Sequence, residues 1–318
     1  MLKGMLEGRG RIWWAAAIIL MFLLPFILPR FYLYLLSIIL LTGLLATSLN
    51  LVLGYGGIFQ FHHAVFYGAG AYGTALILTR TGLSPWISFI VGPLVSAALG
   101  LIIGWVCIRL SKLYFAMLQI SLGSLVWIIV YRWYSFTGGD DGIHGIPLPD
   151  ILSSSNNAYY FTLAVTLICL FAMHKIVRSP FGSALQGIRD NPVRCEMIGI
   201  NVKRHQLLAL MIAGFFAGVA GSLFVVVDNT VFPDMLFWTL SLEICIMCLL
   251  GGWFTFLGPM LGAAIIIALR TFVSTYTTYW ALVLGILMAL VIFFLPNGVL
   301  GYVEEKIKKG FIEPVIKE

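Results

Sequence analysis

The chain has 318 residues, of which 61% are apolar and only 10% charged. A soluble domain is about half apolar and about a quarter charged, so this chain cannot cover a water-exposed surface, and a soluble enzyme, a nucleic-acid-binding domain and a disordered protein are excluded. The formal net charge is +6; its distribution matters more than its sum, because Lys and Arg collect in the cytoplasmic loops of membrane proteins.

Crossing the hydrocarbon takes roughly 20 apolar residues. Lys3, Arg9 and Arg11 precede the first apolar run, 12–29. That run is long for the core of a signal peptide and no small-x-small cleavage site follows, so it reads as a retained first crossing. The next runs are 33–53, 58–79, 85–108, 113–134, 158–177, 206–227, 236–253, 259–275 and 277–295, which makes ten candidate helices. The third and the eighth are Gly-rich and stay open as broken or re-entrant. Only Arg270 and the Thr/Tyr-rich stretch 274–279 suggest a turn between the last two.

With ten crossings and a cytoplasmic N-terminus, one side collects Lys3, Arg9, Arg11, Arg109, Lys112, Lys175, Arg178, Arg189, Arg194, Lys203, Arg204, Lys306, Lys308, Lys309 and Lys317. The other holds Arg30, Arg80, Arg132 and Arg270. This 15-to-4 split supports the crossing number and the orientation, with both termini inside. Two loops are long: an external one, 135–157, with three acids and no Lys or Arg, and an internal one, 178–205.

The internal loop carries the strongest local signal. Asp190 or Asn191 can cap a helix by accepting from its first free N–H groups. Pro192 suits the first helical position and Gly199 the position past the end. Residues 192–198 therefore read as a short, well-stopped helix, either a solvated loop helix or a docking helix for a cytoplasmic partner. No GxxxxGK[ST] phosphate loop occurs, so any ATP-derived energy comes from a partner.

GAGAYG (Gly68, Gly70, Gly73) satisfies GxGxxG, but no strand-helix unit surrounds it; it reads as close helix packing, as do the pairs Gly214/Gly218 and Gly258/Gly262. Glu243 is an acid inside an apolar run, where a charge costs roughly 2.5–3.5 kcal/mol on insertion scales. A bond to another helix, a place on a substrate path and a proton relay all stay open for it. Gln60, His62 and His63 open the third run. Adjacent histidines point to different helix faces, which argues against a two-His metal site and for one packing and one path-lining residue. Thr137–Pro147 lacks the ligand spacing of a calcium loop and reads as an ordered external loop. Five cysteines, mostly in apolar runs, form no disulfide framework.

The sequence resembles the LivM-type permease subunit of the branched-chain amino-acid ABC transporter family. The matching stretches are SLNLVLGYGG (48–57), HAVFYGAGAY (63–72), TGGDDGIHGIP (137–147), RSPFGSALQGIRDNP with EMIGINV (178–202), AGFFAGVAGSL (213–223) and GGWFTFLGPMLGA (251–263). The resemblance implies an all-α polytopic permease of the type II-like importer class, in one transmembrane domain over 1–300 with a cytoplasmic tail, 301–318. It implies a second related permease, two cytoplasmic ATPases that bind the ATP, and a periplasmic binding protein; the chain itself needs no cofactor or metal. Arg189, Asp190, Asn191, Pro192, Glu196, Gly199, Ile200 and Asn201 would form the coupling element gripped by an ATPase. Gln60, His63, Tyr67, Ser241 and Glu243 are the substrate-path candidates.

The chain departs from the family pattern at Ile58 (usually Gln), Gln60 (usually Ser), His62 (usually Gly) and Phe254 (usually Gly). These changes add bulk beside a pathway and leave urea, other amino acids and small organic acids open as cargo beside leucine, isoleucine and valine. A self-sufficient ion-coupled carrier using Glu243 and His63, and an intramembrane enzyme, are the remaining readings.

Overall fold

A computed structural model describes residues 20–81, 84–110 and 112–279, together with 282–283, 285–286, 289 and 298–302. The start of the first apolar run, most of the last one and nearly all of the tail lie outside these residues. The eight runs between them each correspond to a helix. Helical residues 20–27 lead to Pro29, and α1 (Arg30–Asn50) begins behind that proline. It runs on into a π-helical turn, Leu51–Tyr55. Next come α2 (His63–Arg80), α3 (Pro85–Cys107), α4 (Lys112–Arg132) and α5 (Ser155–Val177). Two short helices follow, α6 (Pro180–Asp190) and α7 (Pro192–Met197), and then α8 (Val202–Asp228), α9 (Trp238–Gly251) and α10 (Gly258–Tyr276).

Among the described residues six helices are long and apolar enough to cross a bilayer: α1 with its π turn, α3, α4, α5, α8 and α10. The two runs read as broken or re-entrant behave differently. In the third, 58–62 stays irregular and α2 is then unbroken over 18 residues. Its polarity follows from its place at the centre of the bundle, where thirteen residues are buried and lipid contact does not constrain composition. The eighth gives α9, whose 14 residues span about 21 Å at 1.5 Å each, short of the roughly 30 Å of hydrocarbon.

Small residues set the packing at the centre. A Cβ on Gly70 would overlap the Gly218 carbonyl oxygen of α8, so the two backbones touch, as small residues allow in membrane bundles. Across the same seam Ser96 Oγ of α3 lies 2.7 Å from the carbonyls of Phe66 and Gly214. Thr74 and Ser222 share a hydrogen bond of 2.7 Å. Gly258 and Gly262 do the same work in the α9–α10 hairpin, where a Cβ on Gly262 would overlap the Met247 carbonyl.

The helices alternate in direction, giving the bundle two ends. At one end a two-stranded antiparallel ribbon pairs β1 (Ile143–His144) with β2 (Thr230–Val231), Ile143 opposite Val231 and His144 opposite Thr230. It ties the 133–154 loop to the α8–α9 connection, and Ile146 N–H extends it to the Asn229 carbonyl at 3.2 Å. Tyr134 donates to Asp141 at 2.9 Å, and that hydrogen bond, followed by the carboxylate charge, pushes the phenol up from its usual range. Asp140, Asp141, Asp150, Asp228 and Asp234 lie at this end, while Arg109, Lys175, Arg178, Arg189, Arg194, Lys203 and Arg204 lie at the end that carries α6 and α7.

Candidate functional site

The segment between α5 and α8 folds as a chain of capped turns. Ser179 Oγ accepts from Gly182 N–H at 3.4 Å, Asn191 Oδ1 from Arg194 N–H at 3.1 Å, and Asn201 Oδ1 from Arg204 N–H at 3.0 Å. Pro180 and Pro192 occupy positions where no N–H is needed. Gly199, at φ +88°, stops α7 in the left-handed region. Of the two candidate caps read from sequence, Asn191 is the one used. A whole further helix, α6, stands where only a loop was expected, although its Ser-Pro start is the same signal.

Ile188, Cys195 and Val202 form a small core under α6 and α7. The opposite face of α7 is apolar and bare: Val193 is 57%, Met197 81% and Ile198 75% exposed. Arg194, Glu196, Gly199 and Asn201 lie exposed beside them, with Ile200 partly covered.

Arg189 turns the other way, toward the bundle. Its Nη1 donates to the Gly54 carbonyl in the π turn at 2.8 Å. Its Nε and Nη2 both approach Asp190 Oδ1 at 3.0 Å. The guanidinium also lies 5.4 Å from the centre of the Phe254 ring. Gly57, at φ +64°, backs onto the Arg189 stem, where a Cβ would come within 2.6 Å of Cγ. A cavity of about 500 Å³ opens at this joint, lined by Leu53, Ile58, Phe59, Phe115, Arg189 and Phe254 among others. Phe254 and Ile58, two of the four departures from the family pattern, thus face the cavity beside Arg189.

The path candidates are dispersed. His63 Nε2 pairs with Ser48 Oγ of α1 at 2.8 Å. Ser241 Oγ accepts from Ala64 N–H at 2.9 Å, so it satisfies the first turn of α2 from α9. Tyr67 is buried beside Phe224, with ring centres 6.1 Å apart. Glu243 meets Arg270 at 3.5 Å on partly exposed side chains. Gln60 is buried, but apart from His63, Ser241 and Glu243 in its bonding: both its amide atoms lack a hydrogen-bond partner within the chain.

Two further residues join Gln60 in that respect. His62 and Gln119 are buried and face one another without a hydrogen bond of good geometry. Gly123, one turn beyond Gln119 on α4, packs against His62, where an added Cβ would lie 3.0 Å from the His62 Cβ. Gln119 sits inside an unbroken apolar run, so only its own polarity could have marked it in the sequence. A buried polar group with no partner costs about 1–3 kcal/mol, so His62 and Gln119 face one another at the start of α2 for want of other partners. Among the described residues no cluster of three His, Cys, Asp or Glu could hold a metal ion, and all five cysteines are free.

Comparison with known proteins places this arrangement. The chain is 26% identical to the high-affinity branched-chain amino acid transport system permease protein LivM of Escherichia coli, over 94% of this chain and 77% of that protein. It is 23% identical to the probable branched-chain amino acid transport permease protein LivM of Methanocaldococcus jannaschii, over 86% of this chain and 93% of the relative. It is 27% identical to the fructose import permease protein FruF of Bifidobacterium longum, over 73% of this chain and 67% of that one. No solved structure matches the chain. Residues 31–292 match the family described as branched-chain amino acid transport system / permease component, and an all-α bundle with a capped segment at its basic end is what that match covers: the chain belongs to this family of importer permeases.

Proposed function

We propose that the chain is one transmembrane subunit of an importer for branched-chain or related small amino acids. It pairs with a second, related permease, is driven by two cytoplasmic ATP-binding subunits that hold the ATP, and receives cargo from a periplasmic binding protein. Residues 1–300 form the permease domain and 301–318 a cytoplasmic tail; both termini and the α6–α7 segment face the cytoplasm. The excess of Lys and Arg at the α6–α7 end supports that orientation.

The observation that carries the reading is the bare apolar face of α7. Val193 and Met197 sit on a helix of six residues, with Ile198 at its C-cap, that is capped at both ends and rooted by its own small core. A solvated loop helix has no need of exposed Met and Ile; a helix seated in a groove of another protein does. ATP binding closes the ATPases and moves α7, and Asn191, Pro192, Glu196, Gly199, Ile200 and Asn201 hold its shape. Arg189, locked beside Asp190, passes that movement to Gly54 at the end of α1. A motor can shift only states that it binds differently, so the joint must have two discrete packings.

The test is sidedness and contact. Met197→Cys, in a background without native cysteines, is expected to react with an impermeant maleimide only from the cytoplasmic side. It is expected to cross-link to an ATPase subunit in the assembled importer. Labelling from outside the cell would overturn the reading.

A further inference from the structure

We propose that Asn50 is a positioning residue of the coupling route: it ties the end of α1 to the turn between α9 and α10, so that a movement of Arg189 reaches both as one body. The inference rests on the importer reading above and extends its route beyond Gly54. Asn50 is the last residue of α1 and is fully buried. Its Nδ2 donates to the Thr255 carbonyl at 3.1 Å, across 205 residues of sequence. Its Oδ1 backs onto Gly54, where an added Cβ would overlap both that oxygen and the Trp253 carbonyl. One side chain therefore touches the residue that accepts from Arg189 and the turn on the far side of the joint.

That turn is tightly closed. The Thr255 N–H and Oγ1 both donate to the Gly252 carbonyl, at 3.0 and 2.8 Å, and Gly252 holds φ +112°. Phe254 presents its ring to the Arg189 guanidinium at 5.4 Å, while the next residue, Thr255, presents its carbonyl to Asn50. Arg189, Gly54, Asn50, Thr255 and Phe254 thus form a closed ring of contacts in which each member touches the next.

The ring lies where two helical runs break, at 56–62 and 252–257. Hinges are loop or element-terminal positions of this kind. Without the Asn50 bond, the α9–α10 turn would follow Arg189 through one ring contact alone, and α1 could move without it. A second bond joins the same two helices outside the ring: Cys248 Sγ of α9 donates to the Ala46 carbonyl of α1 at 3.1 Å. It fastens the pair without involving Arg189, which makes it the control.

The experiment measures leucine imported per ATP hydrolysed by the complete importer in proteoliposomes, together with the melting midpoint of each variant. Asn50→Leu keeps the side-chain volume without the amide, and Asn50→Asp keeps its shape without the Nδ2 donor. Both are expected to lower import per ATP fivefold or more, while Cys248→Ala melts lower but keeps the wild-type ratio. If Asn50 only fastens α1, its variants melt lower, keep the ratio and overturn the proposal. In an Arg189→Ala background, Asn50→Leu is expected to cost less than twofold further, because the shared route is already cut; losses that multiply in full overturn that route. Failure of both Asn50 variants to assemble, beside an intact Cys248→Ala, assigns the residue to the fold and overturns the proposal as well. A wild type that accumulates no leucine at the expense of ATP overturns the importer reading and this inference with it, whereas a coupled wild type with unchanged Asn50 variants overturns this inference alone.

Discussion

Arg189 Nη1 donates to the carbonyl of Gly54 at 2.8 Å, joining α6 to the last turn of α1 across 135 residues of sequence. A hydrogen bond from a charged donor contributes about 1.5–3 kcal/mol, and here it is the polar link between a peripheral helix and a buried one. Arg189→Ala is expected to insert normally but to lower solute imported per ATP hydrolysed by roughly tenfold, a loss of about 1.4 kcal/mol in coupling. Arg189→Glu should lose more, since it places a carboxylate against the Gly54 carbonyl. The ratio of uptake to hydrolysis in proteoliposomes measures this, and an unchanged ratio removes Arg189 from the coupling route.

Gly57→Ala tests the other side of the same contact. The substitution puts a Cβ at φ +64° and 2.6 Å from Arg189 Cγ. Gly145 has the same φ of +64° with nothing within 4 Å of an added Cβ. Backbone strain alone costs about 1–3 kcal/mol, so Gly145→Ala should lower the melting midpoint modestly. Gly57→Ala should lower it further and also depress coupling; equal shifts in both would mean that the steric contact contributes nothing.

Ser241→Ala removes the acceptor of the Ala64 N–H at the buried start of α2. An orphaned buried donor costs about 1–3 kcal/mol. The variant should unfold at lower temperature in detergent, and Ser241→Thr, which keeps the hydroxyl, should recover part of the loss. Full stability of the alanine variant would show that the N–H finds another acceptor.

Met197→Asp and Ile198→Asp change exposed residues without buried contacts, so stability should stay within about 0.5 kcal/mol. Co-purification of the ATPase subunits should nonetheless fail. Normal recovery of the ATPases with both variants would move the docking face elsewhere.

The sequence made some of this plain and hid the rest for identifiable reasons. Hydropathy located α3, α5, α8 and α10 to within four residues at each end, because long apolar runs have no alternative in a membrane. Asn191, Pro192 and Gly199 announced α7, since capping chemistry is local. Ser179 and Pro180 carried the same message for α6. What stayed hidden was tertiary. Nothing near Gly54 marks it as the acceptor for Arg189, and nothing near Ser241 marks it as the cap of α2. Gln119 looks like one polar residue in an apolar helix until α4 is packed against His62. Arg189 read as part of a surface for another protein, whereas its guanidinium lies against the bundle.

The π-helical turn Leu51–Tyr55 gives the Arg189 contact a wider meaning. Such a turn holds one residue more than an α-helix would fit over the same length, and it is found frequently at functional sites. The carbonyl that receives the Arg189 guanidinium therefore sits on a widened turn, and the winding of that turn decides where the acceptor points.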